Sequence, residues 1–178
     1  VGDLIEEYRR HVLPRYKERT IRHRERFLRF WKKVLGKRKL ADVRRRDIVE
    51  CLRILEARET PQNPSMAPAT RNRYLGVLRH AWNVARKEWE WVSDNPCSGL
   101  MVREPRGRVR FLSDEERDAL LTACRNSQEK RLYPLVVLAL ATGARQQELL
   151  SLRWRDIDWD RRVAILEQTK NDERRAVP

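Results

Sequence analysis

The sequence predicts a mainly α chain, a four-helix bundle followed by a smaller α+β part with a small antiparallel sheet. Four stretches of the first half carry apolar residues at helical spacing along one face, so each has one side to bury against the others. After Trp154 the period shortens. Ile157 and Trp159 alternate with Asp158 and Asp160, and Val163 to Leu166 reads as a short strand beyond a turn at Asp160-Arg161-Arg162. Between the two patterns, Cys97 to Arg110 holds Pro105, two glycines and arginines at 103, 106, 108 and 110 with little periodicity. The expected boundaries are therefore a helical domain at 1–96, a linker at 97–110 and a second domain at 111–178.

In the first domain, Leu4, Ile5, Tyr8 and Val12 line a short helix that Pro14 ends. Thr20 is suited to cap a second helix, with Ile21, Phe27, Leu28, Trp31, Val34 and Leu35 inside, Arg22, Arg26, Arg29, Lys32 and Lys33 outside, and Gly36 as its stop. A third helix, roughly Arg45 to Arg58, buries Ile48, Cys51, Leu52 and Leu55. Prolines 61, 64 and 68 make Thr60 to Pro68 a loop. Thr70 then opens a fourth helix with Tyr74, Leu78, Ala81, Trp82, Ala85 and Trp89 as its apolar stripe, stopped by Ser93-Asp94-Asn95 before Pro96.

In the second domain, Ser113 and Glu116 form a capping box for a helix carrying Leu120, Leu121 and Cys124. Leu132 to Leu140 reads as a buried helix that tolerates Pro134 in its first turn. Thr142-Gly143 closes it, and a new helical pattern opens at once with Arg145, Glu148, Leu149 and Leu152.

The composition narrows the partner. The chain has 40 Lys and Arg against 26 Asp and Glu, a net charge of +14. Residues 1–95 hold 24 basic and 13 acidic side chains, or +11, and residues 96–178 hold 16 and 13, or +3. The excess points to a polyanion, and it sits in the helical half. No apolar run is long enough to span a membrane and no signal peptide opens the chain, which favours nucleic acid over a lipid surface. Cys51, Cys97 and Cys124 have neither disulfide-framework nor zinc spacing, and read as buried thiols of a reducing cytosol. A chain that starts at Val1 reads as a piece of a longer protein.

Arg145 is the residue whose placement asks for an explanation. A cation in the first turn of a helix faces the positive end of the macrodipole, at a cost of about 0.3 to 1 kcal/mol. Glu148, three residues on, offsets it as a plain surface pair. An external anion, held jointly by Arg145 and the helix amides, offsets it too.

The run T-G-A-R-Q-Q-E-L-L-S-L-R-W-R-D-I-D closely resembles the first active-site box of the tyrosine recombinases, the phage-integrase family of DNA breaking-and-rejoining enzymes. Thr142, Gly143, Arg145, Glu148, Leu149, Leu152, Trp154, Asp156 and Ile157 stand where that family has such residues. T-R-N-R-Y-L-G-V-L-R-H-A-W-N-V-A, followed by N-P, is similar to the last long helix of the family's core-binding domain. The resemblance implies a SAM-like four-helix core-binding bundle whose second and fourth helices face the DNA. Thr70, Arg71 and Arg73 are then the expected backbone contacts, with Arg22 and Arg26 beside them. Residues 111–178 correspond to the N-terminal part of a catalytic domain, truncated, with the linker as a strap along the duplex.

The same resemblance implies the chemistry. Arg145 holds the scissile phosphate, Glu148 supports it, and Lys170, in the T-K-N turn, protonates the departing 5′ oxygen. A tyrosine attacks to give a 3′-phosphotyrosyl link, with no metal or other cofactor. The family's H-x-x-R motif and nucleophilic tyrosine follow the lysine, whereas every histidine and tyrosine of this chain precedes Arg145. The expectation is a chain that binds double-stranded DNA without cutting it and leaves apolar surface uncovered. The full-length parent would be a bacterial or phage-encoded, cytoplasmic, nucleoid-associated recombinase acting as protomers of a synaptic tetramer, away from membranes. The alternative is a non-catalytic basic helical module that binds DNA or RNA.

Overall fold

The computed structural model describes residues 1–57, 66–107, 109–166 and 174–177. The chain is mainly helical with one three-stranded antiparallel sheet, as expected. It divides into two compact units, Val1–Gly107 and Arg108–Pro178.

The first unit contains α1 (Gly2–His11), α2 (Glu18–Leu35), α3 (Arg45–Glu56) and α4 (Pro68–Lys87). Their apolar faces meet in one core, where Leu4, Ile5, Tyr8, Leu28, Trp31, Leu52, Leu78 and Trp82 are almost completely buried. The Trp31 indole N–H donates to the Tyr74 carbonyl at 2.8 Å, so the largest core side chain leaves no polar atom unpaired. Pro14 ends α1 in a short 3₁₀ turn, Leu13–Arg15.

Helix starts differ from the sequence expectation. The second and fourth helices begin at Glu18 and Pro68, so Thr20 and Thr70 lie inside the first turn and cap nothing. Pro68 opens α4 because its fixed φ suits the first helical position and its missing N–H costs no bond there. The helix also ends early, at Lys87; Glu90 turns to φ 56°, and Trp89 pairs with Trp91 beyond the end, ring centroids 4.9 Å apart. Gly36 does end α2, though at an ordinary right-handed φ of −54°. A Cβ there would lie 2.3 Å from the Lys32 carbonyl oxygen, which is why the position takes glycine. The end of the third helix at Arg58 and most of the proline loop lie outside the described residues.

The segment expected to be linker starts as part of the first unit. Cys97 and Leu100 are buried in its core. Arg71 Nη1 donates to the Leu100 carbonyl at 2.8 Å. Buried Asn72 donates through Nδ2 to the Val102 carbonyl at 2.8 Å and accepts the Val102 N–H through Oδ1 at 3.0 Å. A side-chain amide offers the same donor and acceptor pair as a neighbouring strand, so it fixes an aperiodic segment that composition alone makes look loose.

The second unit contains α5 (Asp114–Arg125), α6 (Leu132–Thr142), α7 (Gln146–Ser151) and strands β1 (Ile157–Asp158), β2 (Val163–Leu166) and β3 (Arg175–Val177) in the order β1-β2-β3. The capping box at α5 is present: the Glu116 N–H donates to Ser113 Oγ at 3.2 Å, and the Ser113 N–H to Glu116 Oε2 at 3.1 Å. Trp159 falls in the turn between β1 and β2, where Arg162 adopts φ 55°, so the apolar alternation overshoots the strand. Helix α6 forms as expected, but none of its described residues is buried, and Val137, Leu138 and Leu140 are exposed. The core of this unit is Ala144, Leu149, Leu166 and Val177, with Leu135, Ala139, Leu152 and Ala164 against it.

Candidate nucleic-acid interface

The corner between α6 and α7 is built from local chemistry. Gly143 takes the left-handed conformation, φ 61° and ψ 16°, that ends a helix at low cost only for glycine. Its N–H donates to the Ala139 carbonyl at 3.0 Å. Thr142 Oγ1 donates to the Leu138 carbonyl at 2.6 Å and accepts the Ala144 N–H at 3.2 Å, which ties the corner to the helix before it.

Arg145 is the cap of α7 and sits one position before its first turn, in extended conformation at φ −71° and ψ 148°. Its own N–H donates to Glu148 Oε2 at 2.8 Å, and its Nη1 donates to Glu148 Oε1 at 2.8 Å. Glu148 therefore caps the helix and braces the guanidinium with the same carboxylate. Its side chain is 2% exposed, while that of Arg145 is 56% exposed. The brace is buried and the cation is presented outward, which is unlike a solvated surface pair. A third donor, Arg175 Nη2, reaches Glu148 Oε2 at 2.7 Å from β3.

Electrostatics follow from these bonds. The Arg145 amide and then its guanidinium pull the Glu148 carboxyl down to about 2 against the opposing effect of burial, with Arg175 adding to the pull. Two guanidinium groups share one carboxylate, so the cluster keeps a net positive charge with both cations partly open to solvent. Such a site suits an anion. Lys170, expected to act beside Arg145, lies outside the described residues.

The sequence-derived contacts of the first unit separate into two groups. Arg71 is turned inward, its Nε 2.5 Å from Glu56 Oε1 and its side chain 13% exposed, so it joins α4 to α3 and to the segment after α4. Thr70 is half-buried in the first turn of α4. Arg73 is exposed and makes no ion pair with a described residue. Arg26 is exposed on α2, its guanidinium carbon 6.0 Å from the ring centroid of Tyr74, a buried residue of α4. Arg22 is open to solvent, with Glu18 at 3.7 Å.

The structure adds residues to this face. Arg19, Arg22, Arg26, Arg29 and Lys33 follow one another at steps of three and four along α2, and all five are exposed. Spacing points to this stripe, and side-chain partners separate it from its neighbours. Lys32 pairs with Glu6 at 2.7 Å, and Arg24 turns inward to the Tyr8 hydroxyl and lies 4.0 Å over the Tyr16 ring.

Tyr133, the tyrosine of the second unit, accepts a hydrogen bond from Arg125 Nη2 at 2.6 Å. Tyr8 is buried in the first unit and hydrogen-bonded to His80 Nδ1 at 2.9 Å, and burial pushes its hydroxyl up to about 12. No cluster of three or more His, Cys, Asp or Glu groups suited to a metal ion occurs among the described residues, and no described helix is long and apolar enough to cross a membrane.

Residues 110–178 match the phage integrase family. A shufflon-specific DNA recombinase of Escherichia coli is 41% identical over 109 residues, covering 58% of this chain and 27% of that protein. Among solved structures, the integrase of the Tn1549 transposon in complex with transposon right end DNA superposes with a TM-score of 0.79 at 20% identity, over 99% of this chain and 60% of that one. A lambda integrase tetramer bound to a Holliday junction gives a TM-score of 0.75 at 22% identity, over 99% of this chain and 48% of that one. At such identities the superpositions establish the fold alone. The chain spans between about a quarter and three-fifths of these relatives.

Proposed function

From the premise that this chain belongs to the tyrosine recombinase (phage integrase) family, we propose that it is the DNA-gripping part and the first portion of the catalytic part of a site-specific DNA recombinase. Residues 1–96 act as the core-binding domain, with the first part of 97–110 packed against it and the remainder as the connecting strap, and 111–178 as the beginning of the catalytic domain. The single observation that carries this reading is the buried Glu148 carboxylate holding Arg145 by both its oxygens, the half-exposed guanidinium through Oε1 and the backbone N–H through Oε2.

In the proposed reaction, Arg145 neutralises charge on the non-bridging oxygens of the scissile phosphate. Glu148 keeps it aimed and takes no proton. Lys170 gives a proton to the departing 5′ oxygen, and a tyrosine of the whole protein forms the 3′-phosphotyrosyl link. The link conserves the bond energy that rejoining uses. Arg73 and the α2 stripe around Arg22 and Arg26 grip the duplex backbone, with Thr70 at the head of α4; Arg71 shapes that face from behind. The parent works as protomers assembled on DNA, in keeping with the lambda integrase tetramer on its junction. Its place is the cytoplasm, at the nucleoid, where its substrate lies.

Duplex-DNA binding by the 178-residue chain tests the reading, with fluorescence anisotropy followed across a salt series. Affinity is expected to fall steeply with salt, and Arg73→Gln to reduce the slope of log K against log salt by about 0.9, one phosphate contact. No covalent adduct should form with this chain alone. Preference for duplex RNA over duplex DNA, or an Arg73 variant with an unchanged slope, would contradict the proposed interface.

A further inference from the structure

Arg175 lies outside every residue assigned so far to binding or chemistry, yet it makes the third hydrogen bond to Glu148. Its position follows from strand geometry. Side chains two apart in a strand share a face, so Arg175 and Val177 point the same way from β3. Val177 packs in the small core with Leu149, and Arg175 reaches the neighbouring Glu148. In the sheet, Arg175 stands opposite Leu166, itself buried in that core. The contact is thus set by the same register that assembles the unit.

The hydrogen bonds show what it adds. Glu148 Oε1 accepts from the Arg145 guanidinium, and Oε2 accepts from the Arg145 N–H and from Arg175. Without Arg175, Oε2 keeps one backbone donor, and the carboxylate plane has nothing from the sheet to hold it. We propose that Arg175 is a positioning residue, fixing the Glu148 carboxylate from the opposite side so that the Arg145 guanidinium keeps one orientation toward its phosphate. This rests on the phosphate-holding role proposed for Arg145. Arg175 acts through Glu148, on the guanidinium beyond it. A second consequence is electrostatic: two cations around one buried carboxylate keep it ionised.

A double-mutant cycle on the 178-residue chain separates this from independent DNA contact and from a purely structural effect. The probe is a fluorescein-labelled DNA duplex read by anisotropy at fixed salt, with Arg145→Ala, Arg175→Ala, Arg175→Lys and the double alanine variant. Arg145→Ala is expected to weaken binding about tenfold, the scale of one charge-assisted contact. Arg175→Ala should weaken it several-fold in the wild-type background and not at all in the Arg145→Ala background. Arg175→Lys, which can still donate one bond to Oε2, should recover most of the loss. The ¹³C carboxyl titration of Glu148 should move upward in Arg175→Ala and return in Arg175→Lys, a signature that loss of packing alone does not give. Additive losses, or an unshifted Glu148 titration, overturn the positioning role and leave the Arg145 reading standing. If Arg145→Ala binds like wild type, the reading falls and the inference with it. Should Arg175→Ala fail to fold, the lysine variant decides, since full loss of affinity in a folded Arg175→Lys chain also overturns the proposal.

Discussion

Glu148 shows how much one side chain carries. It caps α7, braces Arg145 and receives Arg175, all through one buried carboxylate. Its pKa is depressed when folded, so the unfolded chain binds the proton more readily. The stabilisation is complete above the ordinary value of 4.5 and is lost as pH falls toward about 2. Glu148→Gln, which removes the charge at near-constant shape, should flatten that acid limb of a pH series of thermal melts. His80 behaves in the same sense at higher pH. Burial and then the nearby Arg24 cation lower its pKa below 6.5, so the first unit should lose stability as pH drops below that value. His80→Gln should remove this slope in melts between roughly pH 7 and 5. Arg145 was legible in the sequence because its neighbours form a dense run. Arg175 was not, since its role depends on a strand register that brings it to a carboxylate 27 positions away.

At the scale of elements, the helices were legible from apolar spacing and their ends were less so. Thr20 and Thr70 looked like caps, but the backbone turned into helix two or three residues earlier, where Pro68 and Glu18 were already compatible with a first turn. The signal that Ser113 and Glu116 give, an acidic residue three positions after the cap, also marks starts whose cap residue is an arginine. Asp47 accepts the Arg44 N–H at 2.7 Å and Asp156 accepts the Arg153 N–H at 2.9 Å, repeating what Glu116 and Glu148 do at α5 and α7. The packing of the segment after α4 is hard to read from sequence because what holds it, the Arg71 guanidinium, the buried Asn72 amide and the isolated Cys97 and Leu100 side chains, leaves no periodic trace. Asn72→Ala should destabilise the first unit by about 2 to 3 kcal/mol in chemical denaturation, from the unsatisfied Val102 amide and the lost bonds. Asn72→Asp, which keeps the acceptor but places a second carboxylate near Glu104, should be no better.

For the whole molecule, the two units differ in how completely they are built. The first buries side chains from all four of its helices, whereas the second has Ala144, Leu149, Leu166 and Val177 as its core and exposes much of α6. Amide hydrogen exchange should show slow protons in α2 and α4 and much faster ones across the second unit, α6 included. Equal protection in both would contradict the described packing. The sequence indicated the fold class, and the family resemblance some uncovered apolar surface, but not which element bears it, since an apolar stretch such as Leu132 to Leu140 reads as buried whether or not a neighbour covers it. The same imbalance is written into the tryptophans. Trp31 and Trp82 are 0% and 1% exposed, whereas Trp154 and Trp159 stack on each other at 79% and 69% exposure. Emission from the first pair should shift to the red only when its unit melts. The second pair should already emit at the wavelength of solvated indole and be open to iodide, so the red shift of tryptophan emission on unfolding should report one half of this molecule far more than the other.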